Sequence, residues 1–319
     1  MMEERETWKK RELKIFRKFS IKNKVNTGKK SGHRKHTQLV TLAYLAPSVL
    51  GVLIFFVIPF IVVGWYSTIN NPIQGRFVGF SNFISVWNNK AFQRASFNTL
   101  RFSFTAVPLA VILALVLAAI MESKIPFKSR FRTFFLSPLM VPIASVVLIW
   151  QVLFNNNGLV NEFFSSLGLM RVDWLKSDSA QIPVVILFLW KNLGYNMILF
   201  MSALSSVPGD LIEVASLEGA SKRRIFFTIK LRYLSSTILF VTIMSLINSF
   251  KVFREVYLLT GDYPYESLYM MQHFMNNTFA SLDYQKMSAA AIIMALVIII
   301  LFFIMYKAED IYGKDVEGQ

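Results

Sequence analysis

Apolar residues gather along the chain in six stretches, near 42–64, 99–121, 133–154, 181–204, 235–257 and 287–306, with polar segments between them. A bilayer core about 30 Å thick takes roughly 20 helical residues to cross, so each stretch predicts a membrane-spanning helix. The pattern therefore describes an all-α membrane protein with about six transmembrane helices. Prolines interrupt three of them: Pro47 and Pro59 in the first, Pro108 in the second, Pro138 and Pro142 in the third. Membrane helices tolerate proline where neighbours satisfy the freed carbonyls, and they commonly kink there, so these spans are expected to be bent. The division that follows is a tail over 1–41, a membrane domain over 42–306 and a second tail over 307–319.

Charge sets the orientation, because Lys and Arg accumulate on the cytoplasmic side. With the N-terminus inside, the inner segments carry 24 Lys and Arg and the outer loops 6. The bias survives removal of the first tail, at 11 to 6. Both termini are thus expected in the cytoplasm of a multi-pass protein of the cell membrane. The tail alone holds 13 cations, among them Lys9, Lys10, Arg11, Lys29 and Lys30, and it leads directly into an apolar run. That placement suits anionic membrane lipid better than nucleic acid. A cleavable signal peptide would start its apolar run earlier and keep it shorter. Trp8, Leu13, Ile15, Phe16 and Phe19 could give the tail one apolar helical face; a disordered basic extension fits as well.

Composition confirms the class and removes several chemistries. The 319 residues are 54% hydrophobic and only 17% charged, with a mean hydropathy of +0.47 and 30 Phe, against about 25% charged in soluble domains. Cysteine is absent, which excludes disulfides, thiolate metal sites and cysteine nucleophiles. His33, His36 and His273 are too scattered to assemble a metal site. No serine–histidine–acid arrangement stands out, so no catalytic residues and no cofactor are expected. The segment Thr27-Gly28-Lys29-Lys30-Ser31-Gly32 lacks the earlier glycine of a phosphate loop, since position 23 is Asn. The chain encodes no ATP-hydrolysing engine of its own.

One polar segment is distinctive. Between the fourth and fifth spans the chain reads Ser205-Ser-Val-Pro208-Gly-Asp-Leu-Ile-Glu213-Val-Ala215-Ser-Leu-Glu218-Gly219-Ala220-Ser-Lys-Arg-Arg-Ile-Phe226-Phe-Thr-Ile229-Lys-Leu231-Arg232. Pro208 can open a helix, because the N–H it lacks would be unsatisfied there anyway. Gly219 can close that helix in the left-handed conformation. A second helix would follow, with Ile225, Phe226, Ile229 and Leu231 on its apolar side. The product is a short helix–turn–helix on the inner face, too polar to enter the bilayer.

This loop resembles the EAA motif of binding-protein-dependent ABC importer permeases, in which Glu-Ala-Ala-x-x-Asp-Gly-Ala is followed by Phe, Ile and Leu-Pro. Glu213, Ala215, Gly219, Ala220, Phe226, Ile229 and Leu231 fall in register with it, whereas Val214, Glu218 and Arg232 depart from Ala, Asp and Pro. The change at Arg232 removes an expected helix break. Other fragments extend the resemblance over roughly 40–306 and toward the carbohydrate-uptake branch: Tyr44-Leu-Ala-Pro47, Phe77-Val-Gly79-Phe80-Ser-Asn82-Phe83, Asn98-Thr99-Leu100, and Phe250-Lys-Val-Phe253-Arg-Glu-Val-Tyr257-Leu-Leu-Thr260 followed by Gly261-Asp-Tyr-Pro264. The resemblance implies a transport subunit rather than an enzyme. Its loop 205–232 would be the coupling loop, with Glu213, Ala215, Glu218, Gly219, Ala220 and Phe226 meeting a cytoplasmic ATPase dimer. A second permease subunit and an extracellular solute-binding protein would complete the assembly, importing a sugar or oligosaccharide by alternating access. A glycerol-phosphate-like solute is the variant that would call for cations in the pathway.

Polar groups inside spans are costly and are candidates for function. Lys191, Asn192, Tyr195 and Asn196 lie in the fourth span, and Asn248 and Lys251 late in the fifth, all in the same half of the membrane. Lys191, Lys251, Asn196, Asn248 and Tyr195 are therefore the pathway candidates, with Trp190 or Tyr195 able to stack on a sugar ring. The alternative is that they bond a neighbouring helix or snorkel to the interface. An ion-coupled secondary transporter would instead need acidic or histidine side chains well inside the spans. Arg101, Lys191, Lys251, Arg254 and Glu255 all fall toward span ends.

Overall fold

A computed structural model describes residues 41, 44–122 and 127–317, with side chains to 310. The basic tail, with His33, His36 and the segment at 27–32, lies outside the described residues, as does Lys124. By contacts the chain divides into two units, Met1–Val62 and Val63–Gln319. The described part of the first is helical and covered with exposed apolar side chains such as Leu50, Phe55, Phe56 and Ile61. It belongs to helix α1, Tyr44–Tyr66. Pro47 sits in its first turns, where no donor is missed. Ahead of Pro59 the helix widens into a π-turn over Leu53–Val57, in which the Ile58 N–H reaches the Leu53 carbonyl. Such a wide turn takes up the mismatch that a helix-interior proline creates.

In the second unit the elements are α2 (Ser81–Trp87), α3 (Lys90–Glu122), α4 (Lys128–Met140), α5 (Ile143–Leu153), α6 (Leu159–Ser166), α7 (Gln181–Ser205), α8 (Gly209–Leu217), α9 (pieces Lys222–Ile225, Phe226–Lys230 and Leu231–Tyr233), α10 (Ser235–Thr260), α11 (Met271–Ala280) and α12 (Tyr284–Glu317). Among the described residues five helices are long and apolar enough to cross a membrane, α1, α3, α7, α10 and α12; the pair α4 and α5, bent by 98°, makes a sixth when counted as one broken span. The bend falls at Val141, with Pro142 at the start of α5 and Pro138 in the last turn of α4. Pro108, by contrast, lies inside an unbroken α3.

α3 is the centre of the packing. Ala106, Ala110, Ala114 and Ala118 recur every four residues on one face, each fully buried. Small residues at this spacing let helix backbones approach closely where no water drives association. α7 and α10 lie on either part of that face: Val184, Leu187 and Val256 join Ala106 and Ala110 in one cluster, while Phe200, Met201 and Val241 join Ala114 and Ala118 in another. α12 turns Ile299, Ile300, Phe303 and Ile304 outward, as lipid-facing side chains would be.

The loops are tied down by amides. Asn82 donates to the carbonyls of Ser67 and Ile69, closing the segment before α2. Asn161, fully buried, donates to Asn156 and Val172 and accepts from Val172 N–H and Trp174, folding the loop between α5 and α7. Asn98 donates to the carbonyls of Glu266 and Tyr269, and Gln181 donates to those of Asn98 and Ser267. The segment between α10 and α11 is thus fastened to α3 and α7.

Candidate functional site

Two regions gather the polar chemistry. The first is the segment between α7 and α10. Pro208 precedes α8 with extended backbone, and Gly219 ends the helix at φ +82°. The Ala220 N–H reaches the Ala215 carbonyl at 2.9 Å and the Gly219 N–H reaches Ser216 at 3.1 Å. These two bonds define a Schellman closure, which needs a left-handed residue at the glycine position. Ser221 then caps α9 by accepting from the Arg224 N–H.

The exposed face of α8 mixes apolar and acidic side chains. Glu213 and Glu218 stand beside Leu211, Val214 and Leu217, the last 82% exposed. Ala215, Ala220 and Phe226 are half-buried, and Phe226 with Ile229 packs against the cluster below Ala114. Phe226–Lys230 forms a second π-turn. The chain passes from Tyr233 through Leu234 into α10 without a sharp stop, in keeping with Arg232 where a proline would break it. Lys230 pairs with Glu122 at 2.6 Å, linking this segment to the end of α3.

The second region is a cavity of about 540 Å³ between α7 and α10, lined also by Leu139 of α4 and Gln272 of α11. Leu139, Leu187, Phe188 and Val252 supply apolar wall. Lys191, Asn192, Asn248, Lys251, Arg254, Glu255 and Gln272 supply the polar groups. Lys191 Nζ lies 2.6 Å from Glu255 Oε1, the carboxylate being 7% exposed. Glu255 Oε2 is buried without a partner. Arg254 approaches the same carboxylate more loosely, at 3.9 Å. Asn248 donates to Asn192 Oδ1, and Asn192 donates to the Phe188 carbonyl.

Of the pathway candidates, the structure brings Lys191, Asn248 and Lys251 into this one cavity. Two of them also illustrate the alternative reading, for Lys191 and Asn248 bond across to a neighbouring helix. Asn196 is buried one turn away, donating to Ser245 on α10, and does not line the cavity. Tyr195 does not line it either. Trp190 packs on Trp150, centroids 5.6 Å apart, rather than facing the cavity.

Asn192, Arg254, Glu255 and Gln272 line the cavity without having been pathway candidates in the sequence. Glu255 looked like a span-end charge, and Gln272 sits on a short helix outside any apolar stretch. The signal available for Glu255 was its position four residues after Lys251, one helical turn along the same face. Gln272 offered no such signal, since only the fastened segment between α10 and α11 carries it to the cavity. Beside it, His273 is fully buried, with Nδ1 accepting from the Met270 N–H and Nε2 unpartnered. Burial lowers its pKa to about 4, against a weaker opposing pull from Asp262.

Comparisons with known proteins agree on the class. The family model for the binding-protein-dependent transport system inner membrane component matches residues 106–310. An sn-glycerol-3-phosphate transport system permease protein, UgpA, of Pectobacterium atrosepticum is 30% identical over 82% of this chain and 90% of its own length. A trehalose/maltose transport system permease protein, MalF, of Thermococcus litoralis is 30% identical over 86% of this chain and 95% of its own. The crystal structure of a bacterial ABC transporter involved in the import of the acidic polysaccharide alginate holds a chain of the same fold, with TM-score 0.74 and 21% identity over 86% of this chain and 96% of that one.

Proposed function

The chain belongs to the family of binding-protein-dependent transport system inner membrane components, and from that premise we propose that it forms part of the pathway of an ATP-driven importer for a solute of the carbohydrate class. Both 30%-identical relatives act on hydroxylated solutes, one a phosphorylated polyol and the other disaccharides. The observation that carries the reading is the helix–turn–helix at 209–233. A Gly219 closure holds α8 as a rigid projection, and Leu211, Val214 and Leu217 stand exposed on it. An apolar patch flanked by Glu213 and Glu218, on a segment too polar for lipid, suits a protein groove.

In this reading the ATPase dimer grips α8 from the cytoplasm, both termini lie on that side, and the 1–41 tail meets anionic lipid. A second permease subunit supplies the facing wall of the pathway. An extracellular solute-binding protein delivers the solute at the other end. ATP-driven closure of the ATPase dimer moves α8 and, through α9, the spans that border the cavity. No bond in the solute is made or broken by this chain; it contributes two arrangements whose balance the ATPase shifts.

The test is mild extraction through a C-terminal tag from the native host, followed by identification of co-purifying chains. An ATPase and a second multi-span subunit are expected. Recovery of this chain alone, or only as copies of itself, would overturn the proposal.

A further inference from the structure

The start of α4 carries positive charge that no acid answers. Lys128, Arg130 and Arg132 alternate along it, its first turn holds no acidic residue, and none of the three makes an ion pair among the described residues. Phe127, Phe131 and Phe134 stand exposed beside them. Phe131 and Phe134, three positions apart, share one face of the helix. Phe127 lies just ahead of the helix, and the Arg130 guanidinium stands 4.9 Å from its ring centroid. Arg130 falls on one side of this aromatic stripe, and Lys128 and Arg132, four positions apart, fall on the other.

The place of this patch is fixed from both ends. Glu122 at the end of α3 is held to Lys230 of the 209–233 segment at 2.6 Å, and the link from Glu122 to Phe127 reaches at most about 18 Å. The patch therefore opens on the side of the protein that carries that segment. The far end of α4 bears on α7, where the Phe135 carbonyl leaves no room for a β-carbon on Gly194. Exposed rings flanked by cations, where a chain enters an apolar span, have the composition of a helix seated in the headgroup layer. A protein groove would need an apolar wall and several acids at matching places, whereas an anionic leaflet offers both everywhere along its surface.

Resting on the importer reading, which puts this side in the cytoplasm, we propose that α4 is a seat for anionic phospholipid of the inner leaflet. Phe127, Phe131 and Phe134 enter the boundary of the acyl chains. Arg130 and Arg132 take lipid phosphates, which a planar guanidinium can hold through two parallel hydrogen bonds, and Lys128 adds a third cation. Each cation near an anionic surface favours association about fivefold. Because α4 meets α7 backbone to backbone, lipid held on α4 steadies the helix that leads into α8. The charge of the inner leaflet thereby adjusts how fully motion of α8 is passed to the spans.

The test uses the assembled transporter with its ATPase subunits in lipid nanodiscs. This chain has no cysteine, so with cysteine-free partner subunits Ser129→Cys carries a single fluorophore. The discs hold equal parts phosphatidylcholine and phosphatidylglycerol, with quenching bromines on the acyl chains of one lipid or the other. Brominated phosphatidylglycerol is expected to quench at least about threefold more strongly than brominated phosphatidylcholine, a preference that high salt erases. Lys128→Gln with Arg130→Gln and Arg132→Gln makes the two equal, while Arg130→Lys with Arg132→Lys keeps the preference. In proteoliposomes of phosphatidylcholine alone, solute moved per ATP is expected to fall several-fold, and the triple glutamine variant no longer responds to phosphatidylglycerol.

Equal quenching by the two lipids in the unaltered protein overturns the proposal, and so does quenching by neither, which would place a protein partner over the patch. A lipid response that persists at full size in the triple variant removes α4 from it. The quenching and salt measurements need no variant of the patch, so they decide the matter even if the triple variant fails to assemble. Failure of the chain to bring down an ATPase would overturn the importer reading instead.

Discussion

At the scale of single residues, the fragments that carried the family resemblance turn out to be points of attachment. Asn98 is quoted in sequence as the entry to the second span, and its amide holds the carbonyls of Glu266 and Tyr269. Removing it leaves two part-buried acceptors without their donor, at roughly 1 kcal/mol each. Asn98→Ala is expected to leave insertion intact and to expose the 261–270 segment to protease, a change visible by limited digestion. Gly219 was legible for a firmer reason, since the φ of +82° it adopts penalises any β-carbon by about 1–2 kcal/mol. Gly219→Val is expected to leave the assembled complex in place while cutting transport several-fold at unchanged basal ATP hydrolysis; normal uptake would remove the glycine from the coupling role. His273 is a residue whose behaviour the sequence could not give, because its burial comes from packing against Phe253 and Tyr269. Its folded-state pKa near 4 lies below the ordinary value of 6.5, so between those values the unfolded chain binds the proton and the folded one does not. Stability is then full above about pH 6.5 and declines by up to about 3 kcal/mol as pH falls toward 4. Thermal melts from pH 7 to pH 4 should show this slope, and His273→Phe should flatten it.

At the scale of elements, the apolar pattern located the five helices long enough to cross a membrane and the bent pair α4–α5, and the prolines announced that the third stretch would bend. It could not give the 98° angle or place the break at Val141, because those depend on what α4 rests upon. That support is Gly194 of α7, where an added β-carbon would stand 1.8 Å from the Phe135 carbonyl oxygen. Backbone meets backbone there, and no side chain can swing aside. Gly194→Ala is therefore expected to separate α4 from α7 and to lose several kcal/mol, seen as a sharp fall in folded complex by fluorescence-detected size exclusion. Gly64→Ala is the contrast, with open space around its β-carbon and an expected change within about 1 kcal/mol in the stabilising direction. The boundary of α3 shows a different limit. Hydropathy begins the second span near 99, yet the helix starts at Lys90. Its first turns are held by Phe92 and Ala95 against Met271 and Phe274 of α11, a tertiary contact that no window of one segment contains.

At the scale of the molecule, the segment at 209–233 and the cavity sit at opposite ends of the same helices, and in the proposed importer what connects them would decide whether ATP energy reaches the solute. α9 runs almost without interruption into α10, whose far end carries Lys251, Arg254 and Glu255. A second connection is the Lys230–Glu122 pair, which joins the segment at 209–233 to the C-terminal end of α3. α3 in turn packs its alanine face on α7, which bears Lys191. The second route was not visible in sequence, since Glu122 and Lys230 are 108 positions apart and each reads as an ordinary loop charge. Lys230 is 15% and Glu122 33% exposed, so the pair adds little stability, of order 1 kcal/mol or less. Its effect should instead appear in transmission. Lys230→Glu places two carboxylates together and is expected to lower the ratio of solute moved to ATP hydrolysed, with assembly preserved. Glu122→Lys should do the same, and the exchanged pair should restore the ratio toward the original. Such a rescue is the mark of a direct link. If the two reversals simply add, the motion of α8 travels through the continuous backbone of α9 and α10 alone.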